Sequence, residues 1–150
     1  MFDRLMGMET EYALRFRPRQ PNGKRLWNGT LFRRLLGHIR RKIPATQAIY
    51  FEYGWFLANG GNVRFDLNPF LVVLPTAGVA EGSTPECRGP RQLLRHQRAQ
   101  DVLMSQAAAA SGESDGDAAL LKSNRDSEGF VHGCHENYEA TIAEGFTLAC

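Results

Sequence analysis

The stretch Gly7-Met8-Glu9-Thr10-Glu11-Tyr12, near the start of a chain of 150 residues, is the segment on which the fold prediction depends. Alternate side chains of a β-strand point to the same face, so Glu9 and Glu11 would stand side by side, roughly 7 Å apart. Two like charges at that distance are costly unless a cation lies between them, and Mg²⁺ is commonly held by one or two carboxylates together with substrate phosphates. The alternative is a solvated strand face with two outward-pointing glutamates.

Composition indicates an ordinary globular domain. Apolar residues make up 43% of the sequence and charged residues 23%, which is typical of a chain with a core and not of a disordered one. No apolar run approaches the roughly 20 residues that span a bilayer, and the first residues lack the features of a signal peptide. We therefore expect a cytoplasmic protein with no membrane segment. A net charge of only +2 argues against a nucleic-acid partner.

The three cysteines, Cys87, Cys134 and Cys150, form neither a disulfide framework nor a zinc-binding spacing. Reduced thiols are the simplest interpretation, and we expect Cys87 and Cys134 to be small buried residues. The last residues, 145–150, carry no cap or polar tail. The sequence therefore predicts that residues 1–150 are the front part of a longer protein.

Periodicity and turn residues predict about five strands and two helices. The helix after Thr30, which we expect to act as its cap, has a stripe of apolar residues along one side. The predicted elements are a strand over 4–13, a helix over 30–43, a hairpin with strands over 48–57 and 62–66 around Asn59-Gly60-Gly61, a buried run over 69–74, a helix over 90–110, and strands over 118–122 and within 130–142. Loops or turns are predicted over 15–29, 76–88, 111–117 and 124–129. This pattern favours an α+β domain in which helices cover one face of a curved, mostly antiparallel sheet.

Four polar segments that together span nearly the whole chain carry the most specific signal. They are Met6-Gly7-Met8-Glu9-Thr10-Glu11-Tyr12, then Phe56-Leu57-Ala58-Asn59-Gly60 leading to Asp66, then Glu81-Gly82-Ser83-Thr84-Pro85-Glu86-Cys87, and finally Asn124–Gly129 followed by Gly133-Cys134-His135-Glu136-Asn137-Tyr138. In this order they resemble the carboxylate–amine ligases of the glutamine-synthetase-like fold. The resemblance is closest to the family of the Pup ligase and the deamidase of Pup.

The resemblance implies a concrete reaction. A ligase of this family uses ATP and Mg²⁺ to phosphorylate the γ-carboxylate of the C-terminal Glu of a Pup-like modifier. A lysine of a protein substrate then attacks the acyl phosphate and forms an isopeptide bond. The related enzyme hydrolyses that bond or deamidates a C-terminal Gln. Residues 1–150 would be an N-terminal, incomplete part of such a catalytic domain.

The resemblance also implies roles for individual residues. Glu9 takes the position of a Mg²⁺ ligand, and Glu81 that of a second metal ligand. Asp66 takes the position of the catalytic aspartate, which accepts the proton of the attacking amine. Thr84, three residues after Glu81 as in the family, takes the position of an ATP contact.

Further site positions come from the same resemblance. Glu11 and His135 face the same pocket in the family fold and join the metal-site candidates. The family has an arginine that contacts ATP four positions before its catalytic aspartate and a tyrosine that helps hold metal two positions before it. Those positions are Asn62 and Arg64 here. An arginine beside a metal site is electrostatically unfavourable, although it can bind phosphate directly.

Other functions stay open at this point. The depupylase has a long loop ahead of its catalytic aspartate, and no such loop is evident between Tyr12 and Asn59, which favours the ligase. The changes at Asn62 and Arg64 favour a relative that has lost catalysis and only binds Pup or substrates. A ligase that joins small amino acids or amines is a further alternative.

Overall fold

One long strand, β1 (Leu5–Pro18), organises the sheet, because four other strands pair with it. The computed structural model describes residues 4–49, 53–67, 77–123, 125, 131 and 133–139. After β1 the elements are α1 (Asn28–Lys42), β2 (Ala45–Gln47), β3 (Gly54–Leu57), β4 (Asn62–Asp66), β5 (Val79–Ser83), β6 (Cys87–Arg88), α2 (Pro90–Ser111), β7 (Gly116–Leu121) and β8 (Cys134–Tyr138).

The strands form a single sheet in the order β2-β3-β4-β5-β1-β6, and β7 and β8 also pair with β1. All strand pairs in these elements are antiparallel. β5 pairs with residues Glu9 to Ala13 of β1, whereas β7 pairs with Ala13 to Pro18. The predicted α+β class, with a mostly antiparallel sheet, is confirmed.

The core lies between one face of the sheet and the two helices. Alternate residues of β1 from Thr10 to Phe16 are buried, as the period of two requires. Phe65 of β4 joins them and stacks at a ring-centroid distance of 5.2 Å on Phe32 of α1. The predicted apolar stripe of α1 is buried throughout, at Leu31, Phe32, Leu35, Leu36 and Ile39. The remaining alternate residues of β1, β4 and β5 therefore face away from the helices.

The sequence prediction ended the first strand too early. Residues 15–18, predicted as the start of a loop, continue β1 because β7 pairs alongside them. Phe16 is buried between the exposed Arg15 and Arg17, so the alternation of the strand runs on through this basic stretch.

A second prediction was wrong in part: within the loop predicted over 76–88, residues 79–83 form β5 and 87–88 form β6, while 84–86 between them are a loop as predicted. The sequence of β5 is rich in small residues and has few of the β-branched and aromatic residues that strands prefer. It forms a strand because β1 and β4 flank it on both sides, which is a tertiary effect. Small residues fit there because α2 packs closely on this strand: a Cβ on Gly82 would lie 2.6 Å from Nε2 of Gln100.

The helix boundaries differ in detail from the predictions. α1 begins at Asn28 and not after Thr30, and its N-cap residue, Trp27, makes no side-chain capping hydrogen bond. Instead, Nδ2 of Asn28 donates to the carbonyl oxygen of Gly78 at 2.9 Å. The helix predicted over 90–110 is confirmed, with Pro90 in its first turn. No helix in the parts of the chain that are described is long and apolar enough to cross a membrane.

The hairpin at Asn59-Gly60-Gly61 is confirmed, since β3 and β4 pair across it. Within the strand predicted over 48–57, of which 50–52 lie outside the described residues, 54–57 form β3, while 45–47 form the separate β2. The acidic loop predicted over 111–117 is shorter, because α2 runs to Ser111 and β7 begins at Gly116. β7 overlaps the strand predicted over 118–122 but begins two residues earlier, and β8 lies within the range 130–142 predicted for the last strand, of which 130, 132 and 140–142 lie outside the described residues. The predicted buried run over 69–74 lies outside the described residues, as does all of the predicted turn over 124–129 except Arg125.

Candidate active site

Three neighbouring strands present polar side chains on the sheet face that the helices leave uncovered. In the register of β1, β5 and β4, Glu11 lies opposite Glu81, and Glu81 lies opposite Arg64. Directly opposite residues of antiparallel strands have their Cβ atoms about 4.5–5.5 Å apart on the same face. Asp66 follows Arg64 by two residues and therefore shares this face.

The central feature is a group of three carboxylates, from Glu11, Asp66 and Glu81, which we call the carboxylate trio. One carboxylate oxygen from each lies within 4.8 Å of the others. Glu81 is buried, Glu11 is half-buried and Asp66 is exposed. Opposite ligands of an octahedral Mg²⁺ lie about 4.2 Å apart at metal–oxygen distances of about 2.1 Å. The trio therefore supplies the oxygen donors that Mg²⁺ prefers, but its oxygens would have to move closer together, by about 1 Å each, to share one ion, because adjacent octahedral ligands lie only about 3 Å apart.

Arg64 sits against the trio as a cation. Its Nη2 lies 2.7 Å from Oε2 of Glu81, in an ion pair whose arginine side chain is 35% exposed and whose glutamate is 3% exposed. Burial raises the pKa of Glu81, and the hydrogen bond and charge of Arg64 offset part of that increase. The hydrogen bond with Glu81 also raises the pKa of Arg64. Because a guanidinium offers no acceptor atom, Arg64 cannot serve as a metal ligand.

Glu9 lies on the same face of the sheet, two residues before Glu11 in β1. It is opposite Ser83 of β5 on one side and opposite His135 of β8 on the other. The charge of Glu9 is a minor cause of the raised pKa values of Glu81 and Arg64. His135 is exposed. Both predicted residues are therefore beside the carboxylate trio rather than in it.

The backbone of Gly133 holds the Glu11 carboxylate. Its N–H donates to Oε2 of Glu11 at 2.6 Å, and the Glu11 N–H donates to the Gly133 carbonyl oxygen at 3.1 Å. The sequence prediction missed this role, although Gly133 opens the Gly-Cys-His-Glu-Asn-Tyr segment on which the resemblance rests. The two distant motifs thus meet along β1, because β8 pairs with Met6 to Thr10.

Thr84 and Asn62 occupy the end of the site nearer the start of β1. The Thr84 hydroxyl accepts a hydrogen bond from the Met8 N–H at 3.0 Å, and its own N–H donates to the Met8 carbonyl oxygen. Asn62 is half-buried and lies opposite Ser83. Thr84 lines an open cleft of about 480 Å³, a volume within the range of small-molecule sites. The cleft is lined by Leu5, Met6, Gly7, Met8, Glu9, Ser83, Thr84, Glu86, Asn137, Tyr138 and Glu139.

Helix α2 braces the two strands that carry Glu11 and Glu81. Nε2 of Gln100 donates to the Gly82 carbonyl oxygen at 2.9 Å and to the Tyr12 hydroxyl at 3.3 Å. The Tyr12 hydroxyl donates to Asp101 at 2.7 Å, and burial raises the pKa of Tyr12. The sequence predictions do not include this network. Its signal is a set of polar residues, Gln97, Gln100 and Asp101, at helical spacing on the inner side of α2.

The two cysteines in the described part of the chain differ in exposure. Cys87 is buried as predicted, but Cys134 is exposed on β8, so the prediction was wrong for Cys134. Burial raises the pKa of the Cys87 thiol, and the hydrogen bond with Thr84 offsets only part of that effect. We therefore expect iodoacetamide to alkylate Cys87 at least about tenfold more slowly than Cys134 at pH 8, because less thiolate forms and access is poor.

Peptide-resolved mass spectrometry of a time course on the full-length protein checks this expectation. In urea the two cysteines should react at similar rates. Equal rates in the native protein would contradict the burial of Cys87.

Comparisons with known proteins agree with this architecture. The family model described as "Pup-ligase protein" matches residues 4–148. The Pup–protein ligase of Corynebacterium glutamicum strain R is 32% identical over 141 residues, which cover 90% of this chain and 26% of that protein. The Pup–protein ligase of Corynebacterium urealyticum is 33% identical over 141 residues, which cover 90% of this chain and 24% of that protein.

A solved structure is also similar. It is the crystal structure of the complex between the prokaryotic ubiquitin-like protein Pup and its ligase PafA, with a TM-score of 0.64 and 32% sequence identity. The match covers 91% of this chain and 25% of that one. The chain therefore spans about a quarter of the length of the relatives that it matches.

Proposed function

Because this chain belongs to the Pup-ligase protein family, we propose that it forms the N-terminal part of the catalytic domain of an ATP- and Mg²⁺-dependent ligase. The γ-phosphoryl group of ATP passes to the γ-carboxylate of the C-terminal Glu of a Pup-like modifier. The amine of a lysine on a protein substrate then attacks the acyl carbon, and phosphate leaves as the isopeptide bond forms. The observation that carries this proposal is the carboxylate trio on the uncovered sheet face.

The residues divide into two roles in this proposal. Asp66 is the exposed member of the trio, at the end of β4, and it accepts the proton that the lysine amine loses. Glu11 and Glu81, with Glu9 and His135 beside them, are the metal-binding groups. Bound Mg²⁺ neutralises negative charge on the transferred phosphoryl group.

The cleft beside Glu9 is the place for the nucleotide in this proposal. Its wall includes Thr84 and Ser83, and Asn62 lies opposite Ser83 on the next strand. Hydroxyl and amide groups at such positions hydrogen-bond phosphate or ribose oxygens. The hydrogen bonds of Thr84 to Met8 fix this wall against β1.

The test is a ligation assay with the full-length protein, ATP, Mg²⁺, a Pup-like modifier ending in Glu and a lysine-bearing protein. We expect the acceptor to gain the mass of the modifier less one water, with one ADP and one phosphate released per bond. Omitting ATP or adding EDTA should abolish the product. ATP turnover without any isopeptide product would contradict the assignment, and product with a small amine but with no protein lysine would favour another carboxylate–amine ligase.

The deamidase is tested in the same assay with a modifier that ends in Gln. Conversion of that Gln to Glu, without ligation of the Glu form, would assign the chain to the depupylase and deamidase side of the family. Mass spectrometry distinguishes the two products directly.

One observation favours a second candidate, a relative that binds the modifier without catalysis. The ion pair of Arg64 with Glu81 places a fixed positive charge at a carboxylate that the ligase needs for metal. In that case the full-length protein binds the modifier, but no ATP is consumed in its presence.

A further inference from the structure

We propose that Arg64 is a resident counter-ion that competes with a divalent ion for the Glu81 carboxylate, so that of the two metal-binding carboxylates of the trio Glu11 contributes more to the binding of the ion than Glu81 does. The inference rests on the proposed function, because it concerns the metal site of the same reaction. It predicts that the protein binds divalent ions more weakly than its acidic residues alone would allow.

The first step of the argument is the position of Glu81 in the sheet. β5 runs between β1 and β4, so Glu81 has Glu11 opposite it on one side and Arg64 opposite it on the other. The Glu81 carboxylate can therefore pair with Arg64 on β4 or bind a metal ion together with Glu11, and the two interactions compete.

The second step is the strength of the contact with arginine. The distance of 2.7 Å is that of a charge-assisted hydrogen bond, the strong class. Glu81 is 3% exposed, so water cannot replace the arginine as a partner for its charge. A guanidinium keeps its charge throughout the accessible pH range. A metal ion can gain full use of Glu81 only if this ion pair breaks.

The third step is the local charge. The trio carries three negative charges when ionised, and Arg64 reduces this total to two. The negative charges of Asp66 and Glu9 also favour the charged form of Arg64, after the larger effect of its hydrogen bond with Glu81. The arginine thus supplies, within the protein, part of the neutralisation that a second cation would supply.

The experiment measures Mn²⁺ binding to the full-length protein by loss of the free-ion EPR signal, without any turnover. Arg64→Gln is expected to tighten Mn²⁺ binding at least about tenfold, because Glu81 then becomes a ligand. The same substitution in a Glu81→Gln background should tighten binding less than about threefold, since the ligand that Arg64 releases is missing. Arg98→Gln, an exposed site on α2, makes the same change of charge away from the site and should have no effect.

A conservative variant guards against loss of folding. Arg64→Lys keeps a positive charge beside Glu81 and should bind Mn²⁺ within about threefold of the wild-type affinity. Circular dichroism of each variant before and after Mn²⁺ addition verifies the fold.

The outcomes separate this inference from the proposed function. If Arg64→Gln raised Mn²⁺ affinity equally in the wild-type and the Glu81→Gln backgrounds, the effect would come from the lost positive charge alone and not from the release of Glu81. That result would overturn the inference. Unchanged Mn²⁺ affinity in Arg64→Gln would also overturn it, while an active ligation assay would leave the proposed function intact. Absence of Mn²⁺ binding in every variant would overturn both the inference and the metal site of the proposed function.

Discussion

Asp66→Asn is expected to slow isopeptide-bond formation by the full-length protein about 100- to 10,000-fold, the usual contribution of a positioned general base. Asparagine keeps the shape and polarity of the side chain but cannot accept the amine proton. Because Asp66 is exposed, the change should alter the free energy of unfolding by less than about 0.5 kcal/mol. The measurement is the rate of product formation at saturating ATP and modifier, together with nucleotide affinity, which should be unchanged.

Asp117→Asn is the matched control for this prediction. Asp117 is an exposed aspartate on β7, paired with Arg17 of β1 and away from the trio. It should keep the wild-type rate. If Asp66→Asn also kept a rate within about threefold of wild type, Asp66 would not be the proton acceptor.

Gly78→Ala is expected to lower the free energy of unfolding by about 2–5 kcal/mol, the largest stability effect of the changes considered. Gly78 has a φ of +89°, where an L-residue costs about 1–2 kcal/mol. An added Cβ would lie 2.9 Å from both Cε atoms of Phe65, and closer still to Cζ. Phe65 cannot turn away easily because its ring packs on Phe32 in the core, so overpacking adds about 1–3 kcal/mol. Urea unfolding measures the change.

Gly89→Ala separates the cost of backbone strain from the cost of overpacking against Phe65. Gly89 has a similar φ of +96°, but nothing lies within 4 Å of the position of its Cβ. Its substitution should therefore cost only backbone strain, about 1–3 kcal/mol, because its ψ of 162° places it in a region that residues other than glycine rarely adopt. Equal losses for the two variants would show that the Phe65 ring moves aside at little cost. Because Phe65 precedes Asp66, Gly78→Ala should also slow ligation more than Gly89→Ala does.

The sequence predicts β1 and β4, which carry Glu11 and Asp66, better than it predicts β5, which lies between them and carries Glu81. A period of two places Glu9 and Glu11 on one face, and the glycines after Asn59 predict the turn that brings Asp66 back into the sheet. Both signals are local. The prediction of helices on one face follows from the apolar stripe of α1 for the same reason.

Glu81 illustrates what local sequence cannot predict. Its strand has small residues and weak strand propensity, and it exists because two other strands flank it. Without that register, the contact between Arg64 and Glu81 could not be foreseen, although both residues were site candidates. The hydrogen bonds of Glu11 with Gly133 join residues separated by 122 positions, so they too depend on the tertiary fold.

The alternation along β1 imposes a constraint on the length of this strand. Its even-numbered residues from Thr10 to Phe16 fill the interior, while Glu9 and Glu11 lie on the other face, where Glu11 belongs to the carboxylate trio. Inserting or deleting a single residue ahead of Glu9 would shift the strand by one step and exchange the two sets, burying acid and exposing aromatic rings. A substitution changes one position of the strand, whereas a change in length shifts every position after it, so the length of β1 ahead of Glu9 is constrained by the core and by the carboxylate trio together.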